Sequence, residues 1–301
     1  MAKWQGKTNA GLLGLKIFVF FLNHLGLKFA YIVLRPVALY YFLFARKSNK
    51  SIYYYFHHIL KYNRLTSCLK MYKNYYVFGQ TILDKVALLS GVTTNFTVDH
   101  EGGINLDKLA ANGKGGILIS GHIGNWEIAG QLLNRLHTTF NILMYENEHE
   151  SIKKYMDEVE RKKNVKIIAI KEGEMGHIIE LNNAFNNNEL VVMHGDRFRD
   201  NAPTIEALFL GKQAKFPAGP FILAVRFGVP VSFVFAIKES NTRYHFIASE
   251  PIEIKRSRTE EQTKEAVKSL LEKYIFEFEK MVYRYPEQWF NYYPFWNEQE
   301  G

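Results

Sequence analysis

The chain has 301 residues, with 38 Lys and Arg against 30 Asp and Glu, and therefore a formal net charge of +8. A hydrophobic content of 47% excludes a disordered chain, and the single cysteine, Cys68, excludes an intramolecular disulfide framework and a cysteine-based zinc site. The positive charge favours an anionic partner: a phospholipid surface, a nucleic acid or an acidic carrier protein.

The first part of the chain is an apolar segment. From Leu12 to Phe44 it is rich in aliphatic and aromatic residues, is interrupted by single charges and is flanked by lysine and arginine. It lacks the uncharged run of about 18 residues that marks a regular membrane span. Two interpretations stay open: one span whose lysines reach the interface, and a kinked hairpin in the interface that bends near Pro36. We predict a membrane-anchoring helical segment over residues 1–47, at the cytoplasmic leaflet; buried helices of a soluble protein are the alternative.

The remainder, residues 48–301, alternates short apolar runs with segments of helical periodicity. Two amphipathic helices are predicted over 48–90, and another, with one apolar stripe, over 259–285. The predicted strands are 95–100, 116–120, 139–144, 166–170, 190–194, 207–210, 229–237 and 244–248. The predicted helices between them are 105–111, 125–136, 149–163, 175–187 and 218–227. This alternation predicts an α/β fold: a single mixed-sheet domain flanked by helices, preceded by the hydrophobic helix or hairpin.

The strand predicted at 116–120 ends in Ser-Gly and is followed by His122. Asn125 is a suitable N-cap for the next helix, and Glu127 would lie in its first turn. Because positions 122 and 127 do not share a face of one regular helix, the two side chains meet only if His122 lies on the turn before it. Glu127 would then hold one ring nitrogen and leave the other to accept a proton. The alternatives are a glutamate that only complements the helix dipole and a histidine with a structural hydrogen bond.

A second polar run follows the strand predicted at 190–194. Ligands of open α/β sheets bind at the carboxyl ends of strands, so this run and His122 are expected at one edge. Asp196 is predicted to orient Arg197 or Arg199, and either guanidinium would clamp a phosphate. A charged, solvated loop is the alternative.

Two lysines, Lys212 and Lys215, follow a predicted strand end at Gly211 and precede a helix start that contains proline and glycine. A helix N-terminus beside lysines binds anions well, so both lysines are candidate anion contacts. The run lacks the spacing of a Walker A loop.

The box from His122 to Glu127 resembles the H-x4-[D/E] signature of glycerolipid and lysophospholipid acyltransferases. Its surroundings resemble the late acyltransferases of bacterial lipid A biosynthesis, which usually carry an N-terminal hydrophobic anchor. Other runs that match this family stand in the same order over roughly residues 95–296: Leu190–Asp196, Leu208–Gly211, Phe227–Val231 and Tyr285–Phe290.

The resemblance implies an acyl transfer in which His122 deprotonates an acceptor hydroxyl and Glu127 fixes the histidine tautomer. It implies an acyl thioester donor, on acyl carrier protein or coenzyme A, and a lipid A precursor or related bacterial glycolipid as acceptor. The expected location is the cytoplasmic (inner) membrane, with the active site facing the cytoplasm. No cofactor, metal or nucleic acid is expected. The candidate substrate contacts are Asn125, Asp196, Arg197, Arg199, Lys212 and Lys215.

Other functions remain open from the sequence. The acceptor would also fit another amphiphile, such as an aminolipid or a lysophospholipid. A metal-dependent hydrolase would use His122, Glu127, His194 and Asp196 as ligands, although the chain has no His-Glu-x-x-His or paired Cys/His spacing. A non-catalytic membrane adaptor would need the apolar N-terminus but not the pairing of His122 with Glu127.

Overall fold

A seven-stranded sheet forms the centre of the protein. The computed structural model describes residues 12–89, 96–125, 138–145, 165–171, 175–199 and 202–296. The described strands are β1 (Thr97–Glu101), β2 (Gly116–Ser120), β3 (Phe140–Tyr145), β4 (Val165–Ile170), β5 (Leu190–His194), β6 (Thr204–Phe209), β7 (Lys212–Pro217), β8 (Val231–Lys238) and β9 (Arg243–Ala248). The sheet has the order β1-β9-β8-β2-β5-β3-β4, and its neighbours are parallel except β8 and β9. The predicted α/β class with a mixed sheet is confirmed.

The neighbouring strands β2 and β5 position the site. Every residue of β2 is buried, as is every residue of β8, which is typical of parallel strands covered on both faces. The pairing of β2 with β5 runs from Gly116↔Leu190 to Ser120↔His194, so the two strands end at the same level. The residues that follow them therefore meet at one edge of the sheet.

Helices flank the sheet. They are α1 (Leu12–Phe44), α2 (Arg46–Tyr53), a π-helix (Tyr54–Ile59), α3 (Arg64–Leu89), α4 (Gly103–Ala110), α5 (Gly176–Asn186), α6 (Gly219–Phe227), α7 (Glu260–Arg284) and a 3₁₀ turn (Pro286–Gln288). Thr259 caps α7 through its hydroxyl. Within α7, Tyr274 and Phe278 contact the rings of Phe233 and Phe235 in β8. The helices predicted over 125–136 and 149–163 lie outside the described residues, apart from position 125.

The N-terminal helix α1 bends at Gly26, where the backbone has φ 77° and ψ 173°. The hairpin interpretation places the bend near Pro36, and this placement is wrong because Pro36 lies inside the helix. Glycine adopts positive φ without steric penalty, and Gly26 is the residue of α1 whose φ and ψ leave the helical region, whereas the backbone at Pro36 stays helical although proline removes one helix hydrogen bond. Farther along, α1 packs closely on α3: a Cβ at Gly79 would lie 2.4 Å from Cδ1 of Leu34.

A buried ion pair joins these helices to the sheet. Nζ of Lys238 in β8 lies 2.5 Å from Oδ2 of Asp84 in α3, and both side chains are buried. The hydroxyl groups of Tyr31 in α1 and Tyr244 in β9 donate to the same carboxylate. Charge-assisted hydrogen bonds thus connect α1 and α3 to the sheet. The predicted boundary between a segment 1–47 and a domain 48–301 stays a prediction.

The β6–β7 hairpin corrects one predicted element. The sequence predicts that a strand ends at Gly211 and that a helix follows the two lysines, but the chain forms β7 before α6 begins. Leu210 and Gly211 have φ values of 50° and 80°. Two successive positive φ values give the type I′ geometry of a tight hairpin turn. Lys212 and Lys215 therefore lie on a strand, not in a loop that leads directly into a helix.

Candidate active site

His122 and Asp196 meet at the carboxyl edge of the sheet. Each follows the end of its strand by two residues, because β2 ends at Ser120 and β5 ends at His194, which are paired in the register. Pairing continues past the strand ends, since the N–H of Gly195 donates to the carbonyl of Ser120 at 2.8 Å. Nδ1 of His122 lies 2.7 Å from Oδ1 of Asp196, and the backbone N–H of His122 donates to Oδ2 at 2.9 Å. One carboxylate therefore holds both the ring and the backbone of the histidine.

Asp196 is a buried carboxylate with several donors. Trp289 donates its indole N–H to Oδ2 at 3.1 Å, and Tyr293 donates its hydroxyl to the backbone carbonyl at 3.0 Å. Burial opposes ionisation, but the His122 ring, its hydrogen bond and the charge of Arg197 hold the pKa of Asp196 well below its usual range. An ionised acceptor places the His122 proton on Nδ1, and Nε2 is then the nitrogen that accepts a proton. The side chain of His122 is 27% exposed, so the ring is accessible from solvent.

A second imidazole packs against the first. His194, the last residue of β5, stacks on His122 with ring centroids 4.2 Å apart and planes inclined by 27°. Burial and the neighbouring His122 lower the pKa of His194 well below its usual value, although Asp196 acts in the opposite direction. His194 is therefore neutral at physiological pH.

The C-terminal segment after α7 holds the loop that carries His122. Ile123 forms an antiparallel bridge with Trp289, and the N–H of Phe290 donates to the carbonyl of His122 at 2.9 Å. Residues from the end of the chain thus complete the backbone hydrogen bonds of the loop after β2, where strand pairing has ended.

Gly124 has the backbone conformation that this loop requires. Its φ is +67°, and a Cβ at this position would lie only 2.0 Å from the carbonyl oxygen of Ala236 in β8. The N–H of Gly124 donates to the carbonyl of Gln288 at 3.0 Å. Any other residue would meet the strand backbone, so glycine is required for the close approach of the loop to β8.

A model of the bacterial lipid A biosynthesis acyltransferase family matches residues 70–297. The chain belongs to this family. This is the family that the motifs predict.

The chain is similar to phosphatidylinositol mannoside acyltransferases of two Mycobacterium tuberculosis strains, ATCC 25618 / H37Rv and CDC 1551 / Oshkosh. Each is 30% identical over 129 residues, or 42% of this chain and 40% of the relative. The match therefore spans about two fifths of the length of these relatives. Among solved structures, the 1-acyl-sn-glycerophosphate acyltransferase PlsC from Thermotoga maritima matches at 16% identity with a TM-score of 0.38, over 82% of this chain and 97% of that chain.

The predicted pairing of His122 with Glu127 involves a residue outside the described part of the chain. In the described part, Asp196 is the carboxylate that contacts His122. The amide of Asn125 is buried and donates to the carbonyl of Thr81 at 3.1 Å and to the hydroxyl of Tyr244 at 3.3 Å. These contacts give Asn125 a structural role between α3 and β9, and its role as a substrate contact stays a prediction.

The two arginines after Asp196 make other contacts in the described part of the chain, and their predicted orientation by Asp196 stays a prediction. Asp196 receives hydrogen bonds from His122 and Trp289, whereas the guanidinium of Arg197 donates to the carbonyl of Phe290. The guanidinium carbon of Arg199 lies 5.0 Å from the ring centroid of Tyr145, the last residue of β3. Because β3 neighbours β5, this contact keeps Arg199 at the same edge of the sheet as Asp196.

The two lysines lie on the β6–β7 hairpin. The ammonium of Lys212 donates to the hydroxyl of Tyr54 at 3.1 Å and lies 5.5 Å from the centroid of its ring. Lys215 is paired with Glu206 in the strand register. Their role as anion contacts stays a prediction.

Sequence reasoning missed two neighbours of the acid–base pair. His194 is predicted only as the start of the second polar run and as a ligand in the metal hypothesis, and Trp289 only as part of a matching run. In the part of the chain that the structure describes, no group of three or more His, Cys, Asp or Glu side chains is arranged to hold a metal ion. The sequence signal that contains Trp289 is the Pro-Glu-Gln-aromatic run, which matches the family but does not by itself indicate a contact with Asp196.

Proposed function

We propose that this acyltransferase moves a fatty acyl chain from a thioester, on acyl carrier protein or coenzyme A, to a hydroxyl of a lipid A precursor or a related bacterial glycolipid. The observation that supports this reaction is the contact of 2.7 Å between Nδ1 of His122 and Oδ1 of the buried Asp196. The mycobacterial relatives are phosphatidylinositol mannoside acyltransferases, and a mannoside of phosphatidylinositol is a glycolipid, which supports a glycolipid acceptor here.

In the proposed reaction, Nε2 of His122 removes the proton of the acceptor hydroxyl while the hydroxyl oxygen attacks the thioester carbonyl. The tetrahedral intermediate then collapses, the carbon–sulfur bond breaks, and the imidazolium returns its proton to the leaving thiolate. Asp196 remains ionised and stabilises the imidazolium between the two steps. The reaction consumes one ester-forming hydroxyl and one thioester, needs no cofactor or metal, and forms no covalent intermediate with the protein.

Glu127 keeps a proposed role as a second carboxylate in the first turn of the following helix; with Nδ1 held by Asp196 and Nε2 acting as the base, it would act through its negative charge. Asp196 and Glu127 would then share the task of stabilising the imidazolium. We include Arg197, Arg199, Lys212 and Lys215 in the proposal as contacts for anionic groups of the acceptor or the carrier, and Asn125 as a further substrate contact. Arg199 has the strongest support of these, because it lies at the carboxyl edge of the sheet.

The proposed site of action is the cytoplasmic face of the inner membrane. Within α1, the helix His24–Phe44 is long and apolar enough to cross a membrane, by length and composition alone. Exposed large hydrophobic side chains on this helix include Ile32, Leu39 and Leu43. Their spacings of seven and four residues place these three on one face, which suits contact with lipid whether the helix crosses the membrane or lies on it.

The reaction is tested with the full chain in membranes or detergent, supplied with radiolabelled acyl carrier protein thioester or acyl coenzyme A and a glycolipid acceptor. We expect His122→Ala to abolish transfer and Asp196→Asn to lower kcat by on the order of 10⁴-fold, because asparagine cannot stabilise the imidazolium. Glu127→Gln tests whether Glu127 also stabilises the imidazolium. Asp99→Asn is the matched control, since Asp99 is an exposed partner of Arg243. Transfer by both His122→Ala and Asp196→Asn at the rate of the control would overturn the proposal.

The acceptor is identified by mass spectrometry of total lipids from a strain that lacks the protein, complemented with the wild type or with His122→Ala. We expect an acylated glycolipid to disappear and to return only with the wild type. Loss of an acylated aminolipid or phospholipid would reject the glycolipid while keeping the chemistry. A lipid profile that is the same with and without the protein would favour the alternative function, a non-catalytic membrane adaptor.

A further inference from the structure

Trp289 contacts the acid–base pair from outside the two strands that carry it. Its indole N–H donates to Oδ2 of Asp196 at 3.1 Å. The same oxygen accepts the backbone N–H of His122 at 2.9 Å, while Oδ1 faces the imidazole. The carboxylate therefore has one oxygen for the ring and one oxygen held by two N–H groups from different segments.

The surroundings of Trp289 fix the direction of this indole N–H. Trp289 is buried, and its ring makes edge contacts with Tyr55, Phe209, Phe278 and Phe295, with centroids 5.0 to 5.9 Å apart. A ring enclosed by aromatic neighbours on several sides has little freedom to rotate. Its donor is thus fixed in place before any substrate binds.

We propose that Trp289 is a positioning residue for the reaction: its indole N–H fixes the plane of the Asp196 carboxylate so that Oδ1 is directed at Nδ1 of His122. The inference rests on the proposed role of His122 as the base. Trp289 would act through Asp196 and would not touch the substrate. The bridge between Ile123 and Trp289 adds a backbone contact to the same loop, so the C-terminal segment holds the base and its carboxylate together.

A purely structural role is the competing explanation, and the chain offers a matched control for it. Trp296 is also buried and lies in the same aromatic cluster, 5.8 Å from Trp289 by ring centroids. Its indole N–H donates to the backbone carbonyl of Phe209 at 3.4 Å, not to Asp196. Phenylalanine at either position removes the N–H and reduces the ring in the same way, so only the contact with Asp196 distinguishes the two variants.

The test compares Trp289→Phe with Trp296→Phe in the full chain. We expect Trp289→Phe to lower kcat roughly 10- to 100-fold with little change in KM, in keeping with the loss of a hydrogen bond to a charged group. We also expect the acidic limb of kcat/KM to move to higher pH, because a carboxylate that has lost a donor attracts the imidazolium proton more strongly. Trp296→Phe should lose stability to a similar degree, keep kcat within about twofold and leave the pH profile unmoved.

Equal kcat for the two variants, or a Trp289→Phe profile whose acidic limb does not move, would overturn the inference. Active His122→Ala would instead overturn the proposed function, so the two failures are distinguishable. If Trp289→Phe does not fold, fluorine NMR of protein labelled with 5-fluorotryptophan decides the matter. Signals of the other tryptophans are assigned by substitution, and Asp196→Asn should shift the remaining Trp289 signal but not that of Trp296. An unmoved Trp289 signal would contradict the contact.

Discussion

His194 and His122 lie face to face at the ends of adjacent strands, with ring centroids 4.2 Å apart. Two imidazolium rings at this distance would repel each other, so the stack accommodates one positive charge. The carboxylate of Asp196 contacts His122, and burial lowers the pKa of His194. The charge that develops during the proposed reaction therefore belongs on His122, and the neutral His194 ring supports its position.

The first prediction concerns the stability of the protein in mild acid. The pKa of His194 is lowered in the folded state. Below about pH 6.5, the ordinary pKa of histidine, His194 therefore binds a proton in the unfolded chain but not in the folded protein. His194 should thus contribute a loss of up to about 1.4 kcal/mol per pH unit as the pH is lowered from 6.5. Chemical unfolding of wild type and His194→Gln between pH 7.5 and 5 measures this slope, which should be smaller in the variant.

His100→Gln is the control for this slope, because His100 is an exposed residue of β1. Its substitution should leave the pH dependence close to that of the wild type. The comparison uses the slope of the free energy of unfolding against pH. A loss of stability that is the same at every pH therefore does not affect it. Parallel slopes for wild type and His194→Gln would contradict the prediction.

The second prediction concerns the glycine after His122. Gly124→Ala should destabilise the protein by more than the roughly 1–2 kcal/mol that positive φ alone costs a residue with a Cβ, since its Cβ would lie 2.0 Å from a backbone oxygen. Activity should fall as well, because the loop that carries His122 must move. Gly113→Ala is the control: φ is +73° there and nothing lies within 4 Å of the added Cβ.

Unfolding midpoints and acyl transfer are measured for both glycine variants. Gly113→Ala should lose only the stability that positive φ costs a residue with a Cβ, and it should keep its activity. The prediction is wrong if both variants lose equal stability, or if Gly124→Ala transfers acyl groups as fast as Gly113→Ala.

The sequence predicted most of the sheet because its strands are short apolar runs between polar or glycine-containing segments. β2 and β5 have the predicted bounds, 116–120 and 190–194. β7 was not predicted because its two lysines favoured an anion-binding loop, although Gln213, Ala214, Lys215 and Phe216 alternate between polar and apolar as a strand does. The positive φ at Leu210, a residue that rarely adopts it, gave no sequence signal for the turn.

The site was predicted in part. The position of His122 follows from local sequence, since a buried strand ends just before it. Its contact with Asp196 depends on the register of β2 and β5, which joins residues far apart in the chain. Local spacing instead favours Glu127, the nearest carboxylate after the turn. The Trp289 contact is still less predictable, because it requires the end of the chain to return to the strand edge.

The third prediction concerns the buried ion pair between α3 and the sheet. Lys238→Met would leave Asp84 buried without its cation, and we expect a loss of about 3–5 kcal/mol in the free energy of unfolding. The double variant Asp84→Asn/Lys238→Met should be much closer to wild type, because it removes both charges. Lys264→Met is the control, since its pair with Glu260 is 3.0 Å long but exposed on both sides, where ion pairs contribute less than about 1 kcal/mol.

Denaturant unfolding in detergent gives all four values under one condition. Equal losses in the free energy of unfolding for Lys238→Met and Lys264→Met would show that the buried ion pair stabilises the protein no more than the exposed one. A double variant that is less stable than Lys238→Met would show that hydrogen bonding to Tyr31 and Tyr244, not charge pairing, dominates the cluster.

The fourth prediction concerns the exposed face of α1. Ile32 and Leu43 are each 56% exposed, and burial of such a side chain in lipid contributes about 1.5–3 kcal/mol. Ile32→Gln/Leu43→Gln should therefore lower the partition coefficient onto vesicles that contain phosphatidylglycerol by at least about tenfold. Ile104→Gln/Ile179→Gln is the matched control, because these residues are each 66% exposed on α4 and α5. Equal sedimentation of the two double variants with vesicles would rule out the α1 face as the lipid contact.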